Sequence, residues 1–213
     1  MTAMTQPPMT SPFWDRIARR YAAAPVANVD AYERTLGRTL SYLQPAHRVL
    51  EIGAGTSSTA LRLAPAVADY TATDISAEMV QIGREKLAAT PVPGLHIAQG
   101  TLPEAVARNQ TYDAVLAFNA LHLMDDPATE AGRVRALLAP GGLFISKTAC
   151  LGGLFRAMMP VIWVMRLFGK APPLRWFTPA SLERAIRAAG FEIVEAATDP
   201  GTIPRRYIVA RAV

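Results

Sequence analysis

Cysteine is almost absent from this 213-residue chain: Cys150 stands alone, so no internal disulfide can form, and the composition fits a reducing compartment. Histidine is scarce as well. His47, His96 and His122 show no H-x-x-x-H spacing and there is no cysteine pair, which counts against a metal site built from protein ligands. Ser57 and Ser58 do not sit in a G-x-S-x-G elbow, which counts against an α/β-hydrolase. Charged residues make up only 18% of the chain. The net charge of +5 would suit nucleic acid, an anionic membrane surface or an acidic substrate. No run of Lys and Arg interleaves with aromatic residues, however, so nucleic acid is not expected as a partner. The opening "MTAMTQPPMTSP" lacks a basic segment followed by an apolar core and reads as a disordered lead-in over 1–12 rather than a signal peptide. A bilayer span needs about twenty residues nearly free of charge. The one long greasy stretch, 149–168, carries Arg156, Pro160 and Arg166, so a cytoplasmic protein is expected, with at most peripheral membrane contact.

What the chain does have is apolar residues, 51% of the total, enough for one sizeable core. Residues 13–213 read as a single domain. Phe13, Ile17 and Tyr21 recur at four-residue intervals on a first helix, and "VDAYERTLGRTLSYL" is a second that ends at Pro45. A rhythm of strand, turn and helix follows. "RVLEIG", "YTATD", "LHIAQ", "YDAVLAFN" and "LFISKT" read as strands. "STALRLAPAV", "SAEMVQIGREKLAA" with Ser76 as its N-cap, and "TEAGRVRALLAPGG" closed by its Pro-Gly-Gly turn read as helices. "TPASLERAIRAAG" begins with Thr178 as N-cap and Pro179 as first helical residue, and ends at Gly190. "FEIVEAAT" and "RRYIVARAV" then read as an antiparallel pair. The alternation predicts an α/β fold: a doubly wound, mostly parallel, Rossmann-like sheet of seven strands that ends in this pair.

The stretch "VLEIGAGTSSTALRLAP", residues 49–65, turns through two glycines between a strand and a helix, where a nucleotide-binding loop belongs. Gly53 and Gly55 permit torsions and a close ligand approach that a side chain would block. Asp74, twenty-one positions after Gly53, is placed to accept from ribose hydroxyls. Nicotinamide, flavin and adenosyl ligands share these features. Ser58 replaces the third glycine of the dinucleotide pattern, and Glu51 beside the loop would repel a pyrophosphate but suit a ligand with an ammonium group.

"VLEIGAGT", "TATDIS", "YDAVLAFNALHLMDD" and "LLAPGG" occur in the order and spacing of class I S-adenosylmethionine-dependent methyltransferases. The chain resembles the small bacterial ubiquinone-type members of that family over roughly 13–211. The resemblance implies S-adenosylmethionine as cofactor. Its amino-acid end would be lined by Glu51, Gly53, Ala54, Gly55 and Thr56, its ribose held by Asp74, and its adenine flanked by Ile75 and Met79. Gly100, Thr101 and Leu102 complete that side, Asn119 would lie near the reactive methyl, and Tyr21 on the first helix would cover the cofactor. Two positions depart from the family pattern. Ser57 stands at the last glycine of G-x-G-T-G, where it would cap the next helix. Thr101 stands where an aspartate commonly meets the adenine amine.

His122, three residues beyond Asn119, is the candidate general base, against a packed or capping histidine. Asp125 and Asp126 before Pro127 read as a helix cap. Lys147 would face the ligand edge, either solvated or attracting an anionic substrate. Residues 150–177 form a hydrophobic insert. Leu151, Leu154, Phe155, Met158 and Ile162 make one stripe, and Val161, Val164 and Phe168 make the other sides apolar. It reads as a lid, a substrate pocket, a homodimer contact, or a membrane contact through 151–175 in which Arg156, Arg166, Lys170 and Arg175 meet anionic headgroups. The expected activity is methyl transfer to a small, apolar or amphiphilic acceptor. The alternatives are a phospholipid or quinone methyltransferase at the membrane surface, and a catalytically silent, cofactor-binding regulatory protein.

Overall fold

The computed structural model describes residues 11–124, 126–168, 170–172, 174–199 and 203–213. Helix α1 (Ser11–Ala23) and helix α2 (Val29–Leu40) precede the sheet. Then follow β1 (Arg48–Ile52), α3 (Ser58–Leu63), β2 (Asp69–Asp74), α4 (Ala77–Ala89), β3 (Leu95–Gln99), α5 (Leu102–Ala107) and β4 (Tyr112–Phe118). The second half runs α6 (Pro127–Leu137), β5 (Leu138–Ala149), α7 (Met159–Leu167), α8 (Pro179–Ala188), β6 (Phe191–Asp199) and β7 (Arg205–Ala212).

The strand order is β3-β2-β1-β4-β5-β7-β6, with β1 to β5 parallel and β7 antiparallel to both β5 and β6. The doubly wound sheet with its closing antiparallel pair is thus the one the alternation predicts. Period-two patterning explains why both faces are covered. On β1 and β4, Leu50, Ile52, Val115 and Ala117 pack with Leu102, Val134, Leu137, Leu182 and Ile186 from α5, α6 and α8. Their neighbours Val49, Ala114 and Leu116 pack on the other face with Leu36, Ala60, Leu63 and Val80 from α2, α3 and α4.

Capping fixes where several helices begin. Ser76 accepts from the Met79 N–H, Asp126 accepts from the Ala128 and Thr129 N–H groups, and Thr178 forms a reciprocal capping box with Ser181. Other boundaries differ from expectation. Ser11 and Pro12 belong to α1, while residues 1–10 of the expected lead-in lie outside the described residues, as does Asp125. The α2 helix stops at Leu40, short of Pro45. The α3 helix gives way to a 3-10 turn over Ala64–Ala66, because Pro65 cannot continue the α ladder. The α6 helix starts at Pro127 and ends at Leu137. "LAPGG" therefore enters β5, where the register against β4 shifts between Tyr112 and Ala114 and Gly141 takes φ 75°.

Candidate functional site

In this order the sheet turns outward in both directions between β1 and β4, the point where open α/β sheets hold ligands beyond the strand ends. A cleft of 1090 Å³ lies there. Tyr21, Glu51, Gly53, Ala54, Gly55, Thr56, Asp74, Ile75, Met79, Gly100, Thr101, Leu102 and Asn119 all line it, so the structure brings every expected cofactor residue to one place.

The glycine loop has this shape for local reasons. Gly53 has φ 64°, and a Cβ there would stand 2.7 Å from the Ala120 Cβ, so only glycine fits between β1 and the end of β4. Gly55 has φ 55°, yet a Cβ there would meet nothing within 4 Å. It would project into open cleft, in the space a ligand would fill. Asp74 fastens the loop to β2: one carboxylate oxygen accepts from the Gly55 N–H at 2.8 Å and the other from the Ser76 N–H at 2.9 Å. Burial raises its pKa, opposed by those N–H groups. The Lys86 ammonium secures the loop from behind, donating to the Thr56 hydroxyl at 2.9 Å and the Ser58 hydroxyl at 2.7 Å. No sequence pattern ties a lysine thirty positions downstream to the loop, so its role is legible only in three dimensions.

Ser57 was expected to cap α3. It occupies the N-cap position with φ 56°, but its hydroxyl makes no capping bond and is buried without a partner among the described residues. The left-handed conformation that the family's glycine would supply is kept, and a serine bears it. Thr101 caps α5: its hydroxyl accepts from the Glu104 N–H at 3.3 Å, and the Glu104 carboxylate accepts from the Thr101 N–H at 2.8 Å.

Glu51 is 2% exposed although it borders the cleft. The Tyr70 hydroxyl donates to its carboxylate at 2.7 Å, and burial pushes the pKa up to about 7. A buried carboxylate in that state lacks a cation, which an incoming ammonium group would supply. Helix α1 closes the cleft from above. Asp15 accepts from the Ser76 hydroxyl at 2.6 Å, and Trp14 and Ala18 pack on Met79 and Ile82. Tyr21, carried on this helix, lines the cleft while 55% exposed.

Beyond β4 the walls change character. Tyr32, Leu36, Phe118, Leu123 and Met124 supply apolar surface, and Lys147, Asp199 and Arg205 a polar corner. Lys147 is buried, not solvated: its ammonium donates to the Thr35 hydroxyl at 2.7 Å and pairs with Asp199. Asp199 was not anticipated, because β7 lies between its strand and that of Lys147. His122 is not among the cleft-lining residues. It sits on a 3-10 turn, Leu121–Leu123, with its Nδ1 buried and unpartnered among the described residues. Burial, and then the Arg205 charge, lower its pKa to about 4. Cys150 is buried and its thiol is pushed up to about 11 by that burial, which leaves it inert as a nucleophile.

The fit to a ligand carrying an ammonium group, a ribose and a planar base is therefore good: a buried carboxylate short of a cation, a fixed carboxylate at the end of β2, and an open glycine cradle between them. The profile of the methyltransferase domain family matches residues 16–196. The chain belongs to that family. Its domain is that of the class I S-adenosylmethionine-dependent methyltransferases, whose cofactor is S-adenosylmethionine.

An uncharacterized methyltransferase of Mycobacterium tuberculosis is 31% identical to the chain over 145 residues, 63% of this chain and 71% of that protein. A highly reducing polyketide synthase of Leptosphaeria maculans is 36% identical over 146 residues, 61% of this chain. The methyltransferase spans only about 6% of that synthase's length. Among solved structures, the trans-methyltransferase CalH in complex with S-adenosylhomocysteine superimposes with a TM-score of 0.62 at 26% identity, covering 84% of this chain and 53% of CalH.

Proposed function

We propose that this methyltransferase acts on a small acceptor that is apolar or amphiphilic, bound in the half of the cleft beyond β4. The observation that carries the reading is the size and division of the cleft. Its 1090 Å³ exceeds the roughly 300–1,000 Å³ typical of a site for one drug-sized molecule, leaving room for an acceptor beside the cofactor. The far half joins apolar walls to polar groups, the Lys147–Asp199 corner with Arg205 and the Glu130–Arg133 pair of α6, a lining that suits an acceptor with a greasy body and a polar end.

In this reading Glu51 holds the ammonium group of the cofactor, Asp74 accepts from its ribose hydroxyls, and Ile75 and Met79 flank its base. The S-adenosylhomocysteine bound by CalH supports the same ligand class for the related cleft here. When bound, the cofactor supplies a methyl group on a sulfonium, whose leaving group is already good. The protein's contribution is then chiefly alignment, which in favourable cases lowers a barrier by about 7–11 kcal/mol. Asn119, at φ 54° and fastened by its N–H to the Lys147 carbonyl at 2.7 Å, fixes the wall between the two halves. Tyr21 on α1 covers the cofactor half and excludes water.

The test is incubation of the protein with methyl-labelled cofactor and a whole-cell extract, followed by partition between organic solvent and water. Label in the organic phase supports this reading. Label in the aqueous phase assigns a polar metabolite or macromolecule instead. Label in neither, with cofactor still bound, assigns a silent regulatory protein.

A further inference from the structure

We infer that α7 is a lipid-docking element that rests this methyltransferase on an anionic membrane surface. The helix belongs to a closed excursion from the fold. The Gly152 N–H donates to the Phe177 carbonyl at 2.8 Å, and Leu151 and Phe177 are both buried, so the segment leaves and returns at one anchored point. Between these anchors the chain meets little of the core. No residue of α7 is buried, and none of the described residues between Gly152 and Phe177 lines the cleft. Trp163 is 61% and Phe168 72% exposed, with Val161, Val164, Met165 and Leu167 exposed beside them.

At 100° per residue these six side chains span about 200° of the helix, Ile162 and Met159 cover most of the rest, and Arg166 falls between those two. A protein groove would cover one face and leave the others wet. Immersion at the boundary of a bilayer covers all of them and lets the one cation reach the headgroups. The nine residues of α7 make a helix about 14 Å long, half the hydrocarbon thickness, so it can lie in a surface but not cross it. Among the described residues, no helix is long and apolar enough to cross a membrane.

Charge selects the occupant. Residues 150–177 contain no Asp or Glu, but they do contain Arg156, Arg166, Lys170 and Arg175. A second copy docked face to face would set the exposed Arg166 and Lys170 against themselves with no acid of the segment to offset them. Anionic headgroups complement both.

The geometry also links the docking element to the cleft. The Arg175 N–H donates to the His122 carbonyl at 2.8 Å and its guanidinium to the Met124 carbonyl at 3.2 Å. Leu123 and Met124 of that same turn line the acceptor half. An amphiphile in the membrane would thus be presented beside the wall it must pass. Docking itself stands apart from the identity of the acceptor and is read without any methyl transfer.

The experiment is co-sedimentation of the full chain with phosphatidylcholine vesicles, with and without phosphatidylglycerol. The chain should pellet with the anionic vesicles, stay largely in solution with the neutral ones, and be released by salt. Trp163→Ser with Phe168→Ser, and separately Arg166→Glu with Lys170→Glu, should each weaken binding by roughly tenfold or more. Affinity for S-adenosylhomocysteine should be unchanged in both variants, which controls for folding. If the first pair fails that control, Val161→Ser with Leu167→Ser replaces it. Equal recovery in solution with both vesicle types overturns the inference, as does binding that survives the α7 substitutions. A dimer abolished by those substitutions, without vesicle binding, assigns the helix to a second copy and overturns it too.

Discussion

Ser57 and Gly83 share one space. Ser57 holds φ 56° at the start of α3, and a Cβ built on Gly83 of α4 would lie 2.7 Å from its hydroxyl oxygen and 3.1 Å from its Cβ. The serine in the glycine loop is tolerated because a glycine on the facing helix makes room for it. The adaptation has two costs: a non-glycine residue in the left-handed region, about 1–2 kcal/mol, and a glycine inside a helix, about 1 kcal/mol.

The pair should therefore couple. In the natural chain Gly83→Ala should destabilise by about 1 kcal/mol, since overpacking of about 1–3 kcal/mol outweighs the gain in helix propensity. In a Ser57→Gly background the same substitution should stabilise, by up to about 1 kcal/mol. Urea denaturation of the four proteins measures the cycle. Equal effects of Gly83→Ala in both backgrounds would show that the two residues do not share the space.

Asp74 holds the loop and faces the cleft at once, so Asp74→Ala should be felt twice. Loss of a charged acceptor costs about 1.5–3 kcal/mol, and the Gly55 N–H is left without its partner. S-adenosylhomocysteine affinity should fall by roughly ten- to a hundredfold in isothermal titration. At pH 8, above the Glu51 pKa of about 7, NADH should bind neither protein, because the ionised Glu51 repels a pyrophosphate. NADH binding to the natural chain would sink the cofactor argument outright.

How much of this was legible beforehand depends on the range of the interaction. Strand and helix order follow from local periodicity, and Ser76, Asp126 and Thr178 announce their helices through capping chemistry within three residues. In the cofactor half, Gly53, Gly55 and Asp74 were readable from their offsets after β1 and β2, whereas Ile75, Met79, Asn119 and Tyr21 came from the family resemblance; the structure brings them all to one cleft. The short α5 escaped because six residues carry too little period to read. The fate of Lys147 escaped because its partners, Thr35 and Asp199, come from segments more than fifty residues away on either side. Ser57 was misread as a cap because a capping residue normally has extended torsions, and sequence alone does not show a positive φ.

Glu51 sets a pH dependence. Its folded pKa of about 7 lies above the ordinary value of 4.5, so without ligand the fold favours the protonated acid. That stabilisation is present in full below about pH 4.5 and is lost as pH rises through 7, a loss on the order of 3 kcal/mol. Glu51→Gln should flatten the stability profile in this window and make the ligand-free protein more stable at pH 8. An ammonium-bearing ligand prefers the carboxylate, so cofactor affinity of the natural chain should rise between pH 6 and 8. Glu51→Gln should bind more weakly and lose that rise. A variant that kept both affinity and pH dependence would remove Glu51 from the cofactor.

The Lys147–Asp199 pair is buried at the acceptor end, where one charge without the other is expensive. Lys147→Met should cost about 3–5 kcal/mol in chemical denaturation, and Asp199→Leu added to it should restore much of that loss. Strictly additive losses would mean that the two charges do not compensate each other.

His122 was the candidate base, with a packed histidine as its rival, and its surroundings favour the packed role. A pKa lowered from 6.5 to about 4 keeps the imidazole neutral across the physiological range, but leaves it a poor proton acceptor. Because the folded pKa is depressed, the stability tied to the neutral form is present above pH 6.5 and is lost as pH falls toward 4. Its ring signals in NMR should therefore stay those of a neutral imidazole down to pH 5. The backbone of His122, by contrast, anchors Arg175 and with it the return limb of the insert. His122→Gln keeps that carbonyl, so turnover with the true acceptor should stay within a few-fold of the natural chain. Loss of a working base would lower it about 10²- to 10⁴-fold. A drop of that size with cofactor affinity unchanged would return the base role to His122, and would require the turn Leu121–Leu123 to bring the ring to the acceptor once both ligands are bound.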